Sequence, residues 1–186
     1  MASKEGRYKK VGLYCQDESR FGLFTHVGRG LTAKGTRPVC PFQQVFRYTY
    51  LFGAYSPMDG DHFELLMPNC STECFQAFLE HFAEKRSGQL NILQVDNAAF
   101  HRAKRLAIPD NVVLLFQPPY SPELNPAEKI WWRIKRAATN LNFPNLEELE
   151  GFLIDQVKAL DRSIVRSICA FEFYKAADKL WPIPNS

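Results

Sequence analysis

Asp17, Asp96 and Glu128 are the residues of this chain best suited to chemistry, standing in YCQDESRFG, LQVDNAAFH and PPYSPELNPAEKIWW. Each aspartate closes an apolar run with strand character, VGLYCQD and LNILQVD, so each carboxylate is expected where a strand ends. The glutamate belongs to the first turn of a helix that Asn125 and Pro126 would open. Carboxylates delivered from two strands and one helix can converge, and hard oxygen donors with open positions are what Mg²⁺ or Mn²⁺ takes. The chemistry this set predicts is metal-assisted phosphoryl transfer.

Neighbouring residues compete with or support this set. In Asn-Pro-x-Glu, the Glu128 carboxylate could instead reach back to cap its own helix. Its position flanking the stripe Ala127, Ile130, Trp131, Ile134, Ala138 and Leu141 favours a cleft, and three prolines in PPYSPELNP limit how it is presented. Glu123, five residues earlier in a proline-bounded loop, is the competing acid. Glu18 should point to the opposite side of its strand from Asp17 and reads as a structural or supporting partner. Asn97 and His101 could orient water, contact a phosphate or merely satisfy a turn. Lys129, Arg133 and Arg136 recur at helical spacing, while Arg20, Arg29 and Lys34 lie in or near an expected strand and its turn; all are candidate DNA contacts alongside Asn97 and His101. Trp131 is expected in the core, while Trp132 could stack on an unpaired base or pack at a domain edge, packing being favoured for both. Cys70, Cys74 and His81 lack a second pair that would complete a zinc site.

The elements that must position these residues read as α/β. Strands are expected at 11–17, 21–27 and 45–55, with a short one at 63–67. Phe75, Phe78, Leu79 and Phe82 recur at helical spacing from Thr72 to near Gly88. Two further apolar runs, 90–96 and 112–117, flank a short helix at HRAKRL. Helices follow from Pro126 to about Asn140, at 146–160 and at 163–180, the last stopped by Pro182 and Pro184. This order predicts a mixed sheet flanked by helices.

Charge is unevenly distributed. Residues 1–37 carry a net +5, residues 38–100 a net −4, residues 101–136 a net +4 and residues 137–186 a net −2. The basic blocks hold most of the motifs, and positive charge around a carboxylate cluster suits a polyanion that must approach it. At 186 residues and 46% hydrophobic content the chain fits one packed domain. No apolar stretch approaches the roughly 18–20 residues needed to cross a bilayer, MASKEGRYKK is no signal peptide, and five scattered cysteines suit a reducing compartment. A cytoplasmic, DNA-associated protein is expected.

QDESRFGL, GRGLTAKGTRP, VDNAAFH and PPYSPELNPAEKIWWRIKR, in this order, resemble the catalytic domain of DDE transposases of the mariner-like insertion-sequence superfamily. The similarity covers about residues 10–140, and its last block is the most specific. It implies a ribonuclease H-like fold and two Mg²⁺ or Mn²⁺ ions per active site, about 3.5–4 Å apart, held by Asp17, Asp96 and Glu128. Asp17 would bridge the ions, and the acid following Asn-Pro, Glu128, would be the third ligand. It further implies cleavage of DNA at transposon ends, attack of the freed 3′-hydroxyl on target DNA, and a homodimer. A nuclease of the same fold that does not join DNA, and an inactive DNA-binding remnant, are the alternatives. The relatives carry an N-terminal helix-turn-helix region that nothing before Val11 could form, so residues 1–186 are expected to be a single catalytic domain with C-terminal helices at about 141–182. Leu31 stands where relatives often have tryptophan, and the 31 residues between Asp96 and Glu128 are slightly few for the superfamily.

Overall fold

The computed structural model describes residues 8, 10–28, 33–36, 39, 41–119, 121–174 and 176, with the Pro122 side chain excepted. Arg29, Leu31, Cys40 and the prolines at 182 and 184 therefore lie outside the described residues.

Five strands form one sheet: β1 (Lys10–Gly22), β2 (Tyr48–Tyr55), β3 (His62–Met67), β4 (Gln89–Val95) and β5 (Val112–Phe116), in the order β3-β2-β1-β4-β5. The first three pair antiparallel, while β1–β4 and β4–β5 are parallel. The helices are α1 (Thr72–Lys85), α2 (Ala127–Ala137), α3 (Leu146–Lys158) and α4 (Arg162–Cys169). The mixed sheet flanked by helices is the ribonuclease H-like arrangement expected.

Two apolar layers close the sheet. On one face α1 lays Phe75, Phe78, Leu79 and Phe82 against Tyr14, Phe52, Phe63, Leu93 and Val95. Ser71 caps this helix by accepting from the Cys74 N–H at 3.3 Å. On the other face Ile130, Trp131 and Ile134 of α2 pack with Phe21, Leu51, Tyr55, Leu149, Leu153 and Val165, so α3 and α4 cover the sheet. Asn145 and Asp161 cap these two helices by accepting the N–H groups of Glu148 and Ile164.

Three expectations are corrected. The strands read at 11–17 and 21–27 are replaced by one that runs unbroken to Gly22 and leaves 23–27 outside it, because residues 10–15 pair with β4 and residues 15–22 with β2, leaving no turn at Glu18–Arg20. Asp17 is therefore within a strand, not at its end. HRAKRL is a succession of turns, with His101 and Leu106 N–H groups bonding back to Ala98 and Ala103 carbonyls. The helix read at 163–180 is interrupted: α4 stops at Cys169, and among the described residues 172–174 and 176 are helical again after a break at 170–171. No helix of the described residues is long and apolar enough to cross a membrane.

Candidate active site

Parallel pairing of β1 and β4 ends at Cys15↔Gln94; Asp17 follows two residues on within β1, and Asp96 directly follows the end of β4 at Val95. Adjacent strands run about 4.8 Å apart, so the register directs the two aspartates to the same end of the β1–β4 pair. Their alternation sends Asp17 toward α2 and Glu18 toward α1, as expected.

The first turn of α2 is tied to the same place. Asn125 is buried; its Nδ2 donates to the Gln16 carbonyl at 3.0 Å, and its Oδ1 accepts from the Ala127 N–H at 3.1 Å. One side chain thus caps the helix and fixes it to the residue before Asp17. Trp131, one turn into α2, donates its indole N–H to Asp17 Oδ2 at 2.9 Å. Gly53 pairs with Asp17 across β1–β2, and a Cβ there would come within 2.8 Å of the Trp131 ring and 2.5 Å of the Tyr55 hydroxyl. The absence of a side chain at 53 is what lets the indole lie over the strand and reach Asp17.

Glu128 is exposed on α2, and no capping-box bond joins it to Asn125 among the described residues. Its charge is felt at Asp17, whose pKa is raised to about 7 by burial first, then by Glu18 and by Glu128, against the Trp131 hydrogen bond and the Glu18 backbone N–H. Glu123, exposed in the short 3-10 turn Pro122–Leu124, is not among those influences.

Asp96 is held from the opposite layer. Its Oδ1 accepts from the Ala98 N–H at 2.8 Å and lies 2.7 Å from His101 Nδ1. The other ring nitrogen of His101 is 3.1 Å from Glu18 Oε1, on which Gln16 Nε2 also converges at 2.5 Å. The imidazole sits between Phe75 and Phe100, whose ring centroids are each 4.3 Å away at steep interplanar angles of 57° and 61°. Burial alone would lower the His101 pKa; hydrogen bonding and charge from Glu18, then from Asp96, raise it. A Glu18–His101–Asp96 chain therefore crosses from β1 to β4 beneath the site.

His101 is 2% exposed, with both ring nitrogens engaged, so the expectation that it contacts DNA is corrected. The signal that could have found its role is the Asp-x4-His spacing, which a turn can close onto one carboxylate. Asn97 is also occupied, its amide donating to the Gln117 carbonyl at 2.7 Å and its oxygen accepting from Arg102. Arg20, Lys34, Lys129, Arg133 and Arg136 are exposed as charged contacts require. Trp131 is in the core, whereas Trp132, expected to pack, is 63% exposed.

Among the described residues, no three His, Cys, Asp or Glu side chains are close enough as placed to hold a metal ion together. The donor set nonetheless fits a hard divalent cation: all oxygen, from three stretches of chain, with Asp17 held up at about 7 by burial and then by the charges of Glu18 and Glu128. An open cleft of about 430 Å³ lies against Asp96, lined also by Asn97, Gln117, Pro119 and Ser121.

Comparison with solved structures supports the fold. The Mos1 transposase paired-end complex with left transposon end has a TM-score of 0.65 at 18% identity, over 89% of this chain and 52% of that one. The Mos1 mariner paired-end complex with Mn has 0.64 at 18%, over 84% and 51%. The Mos1 strand transfer complex has 0.64 at 17%, over 84% and 50%. The chain spans about half the length of these proteins. A protein of Sinorhizobium fredii (strain NBRC 101917 / NGR234), the uncharacterized y4pE/y4sA, is 44% identical over 88 residues, 45% of this chain and 63% of that relative. The family model described as DDE superfamily endonuclease matches residues 12–150, a span that contains Asp17, Asp96 and Glu128. This chain belongs to the DDE superfamily endonuclease family.

Proposed function

We propose that this chain is a transposase catalytic domain that cleaves DNA phosphodiester bonds at transposon ends and joins the freed 3′-hydroxyl to target DNA. The observation that carries the reading is Asp17, two residues past the end of the β1–β4 pairing that Asp96 follows, and raised to about 7 by burial with the charges of Glu18 and Glu128. Asp17, Asp96 and Glu128 would hold two Mg²⁺ or Mn²⁺ ions, which supply activation of the attacking oxygen and charge stabilisation at the leaving one. The exposed Glu128 side chain, on the flank of α2 nearest Asp17, has the freedom to turn toward the aspartates.

The remaining roles belong to the residues that position these carboxylates. Trp131 orients Asp17, His101 orients Asp96, and Asn125 sets the first turn of α2. Arg20, Lys34, Lys129, Arg133 and Arg136, together with Arg29, supply positive charge for the DNA backbone. The Mos1 structures are paired-end complexes, and a homodimer joining two ends is the assembly proposed for this protein.

Incubation with pre-nicked ends of its own element, target DNA and Mn²⁺ tests the proposal. Joined products are expected. Cleavage without joining would replace the reading with a metal-dependent nuclease, and binding without either would reduce the chain to a DNA-binding module.

A further inference from the structure

Trp132 breaks the pattern of its helix. Its neighbour Trp131 is 2% exposed and faces the core, whereas Trp132 leaves 63% of its surface in solvent. At 3.6 residues per turn, four residues carry a side chain only about 40° around the helix, so Trp132 stands one turn beyond Glu128 on the same flank. The Arg136 guanidinium lies 5.1 Å from the Trp132 ring centroid, one turn further again. An arginine over one face orients the indole, and the exposed remainder is available to another planar group.

The direction of the helix extends this surface away from the active site. Trp131 bonds Asp17 near the start of α2, and the Lys135 ammonium lies 5.8 Å from the ring of Phe21, four residues further along β1. The helix therefore runs beside β1 in the same sense. Beside Lys135 lies a small, largely apolar pocket of about 30 Å³, lined by Phe21, Phe24, Leu141, Phe143 and Leu149. Glu128, Trp132, then Lys135 and Arg136 form a track of carboxylate, aromatic and cations along α2.

We propose that Trp132 is a stacking platform for an unpaired nucleobase of the DNA strand that leaves the active site, with Lys135 and Arg136 meeting its phosphates. The proposal rests on the DNA-cleaving reading above. A single strand is the occupant this surface favours, because a base offers the flat face that an exposed indole stacks on and its backbone offers the charge that the flanking cations need.

Fluorescence titration of the whole chain with single-stranded oligodeoxythymidine of about 12 nucleotides, in EDTA to prevent cleavage, tests it. Binding quenches tryptophan emission in the wild type. Trp132→Phe loses most of the quenching but keeps affinity within a few-fold, while Trp132→Ala weakens single-strand binding about tenfold or more. Affinity for a blunt duplex of equal length changes little, and circular dichroism of both variants matches wild type. Equal single-strand affinity in wild type and Trp132→Ala overturns the proposal. So does a Trp132→Ala variant whose only change, by sedimentation, is loss of a dimer, since Trp132 would then be a contact between copies. Mn²⁺-dependent duplex cleavage by Trp132→Ala separates the two levels: if it persists while single-strand affinity is unchanged, stacking alone fails; if the wild type itself neither binds nor cuts DNA, the underlying reading fails.

Discussion

Asp96→Asn abolishes both cleavage and joining, by on the order of a thousandfold or more, with the fold intact. The side chain is 54% exposed and belongs to neither core cluster. An asparagine oxygen can still accept from the Ala98 N–H, so the change in stability stays within about 0.5–1 kcal/mol. What the substitution removes is the negative charge that a cation would meet. Plasmid cleavage in Mn²⁺ and urea denaturation of the same preparation read the two effects separately. Asp17→Asn provides the contrast: it is equally inactive, yet more stable than wild type above pH 7. The sign follows from the raised pKa, since ionised Asp17 is disfavoured in the folded state and the neutral amide escapes that penalty.

His101→Ala carries the largest expected cost to stability. It leaves the Glu18 carboxylate, only 7% exposed, without its imidazole partner and empties the space between Phe75 and Phe100. Removing one member of a buried pair costs several kcal/mol, and with Gln16 still donating to Glu18 we expect about 2–4 kcal/mol. Because the folded-state pKa of His101 is raised, the stabilisation it supplies is full below the unfolded value of about 6.5 and is lost as pH rises through the folded value. The gap between wild type and variant should therefore be widest in mild acid. Adding Glu18→Gln to His101→Ala recovers part of the loss, and chemical denaturation across pH checks both statements. Asp96 also loses its anchor, so residual cleavage by His101→Ala falls about 10–100-fold.

Much of the fold was legible because the apolar runs that became β1, β2 and β4 and the stripe of α1 follow periods that sequence displays directly. The continuity of β1 was not. Ser19 and Arg20 look like a turn, but the strand exposes Arg20 on one side while pairing with Tyr50 of β2, a long-range partner that no local pattern reveals. HRAKRL has helix-forming residues, yet the chain turns there to bury His101 against Phe75 and Phe100. The identities of the three acids were legible, since type and context single them out. Their supports were not: Gly53 matters through a strand pairing and an indole from another layer, and Glu18 through a histidine 83 positions away. Two adjacent tryptophans cannot both face the core of one helix: the apolar stripe set Trp131 inside, and the packed structure adds that Trp132 stands 63% in solvent instead of packing at an edge.

The central claim is that Asp17, Asp96 and Glu128 act as one divalent-cation site. Thermal stability measured with and without Mn²⁺ at pH 6 and pH 8, for wild type and for Asp17→Asn, Asp96→Asn and Glu128→Gln, tests it most directly. The account predicts that Mn²⁺ stabilises the wild type, more at pH 8 than at pH 6 because Asp17 must give up its proton near pH 7 to bind a cation, and that each substitution removes most of the gain. An equal Mn²⁺ response in the wild type and all three variants, or none in the wild type at pH 8, would contradict it.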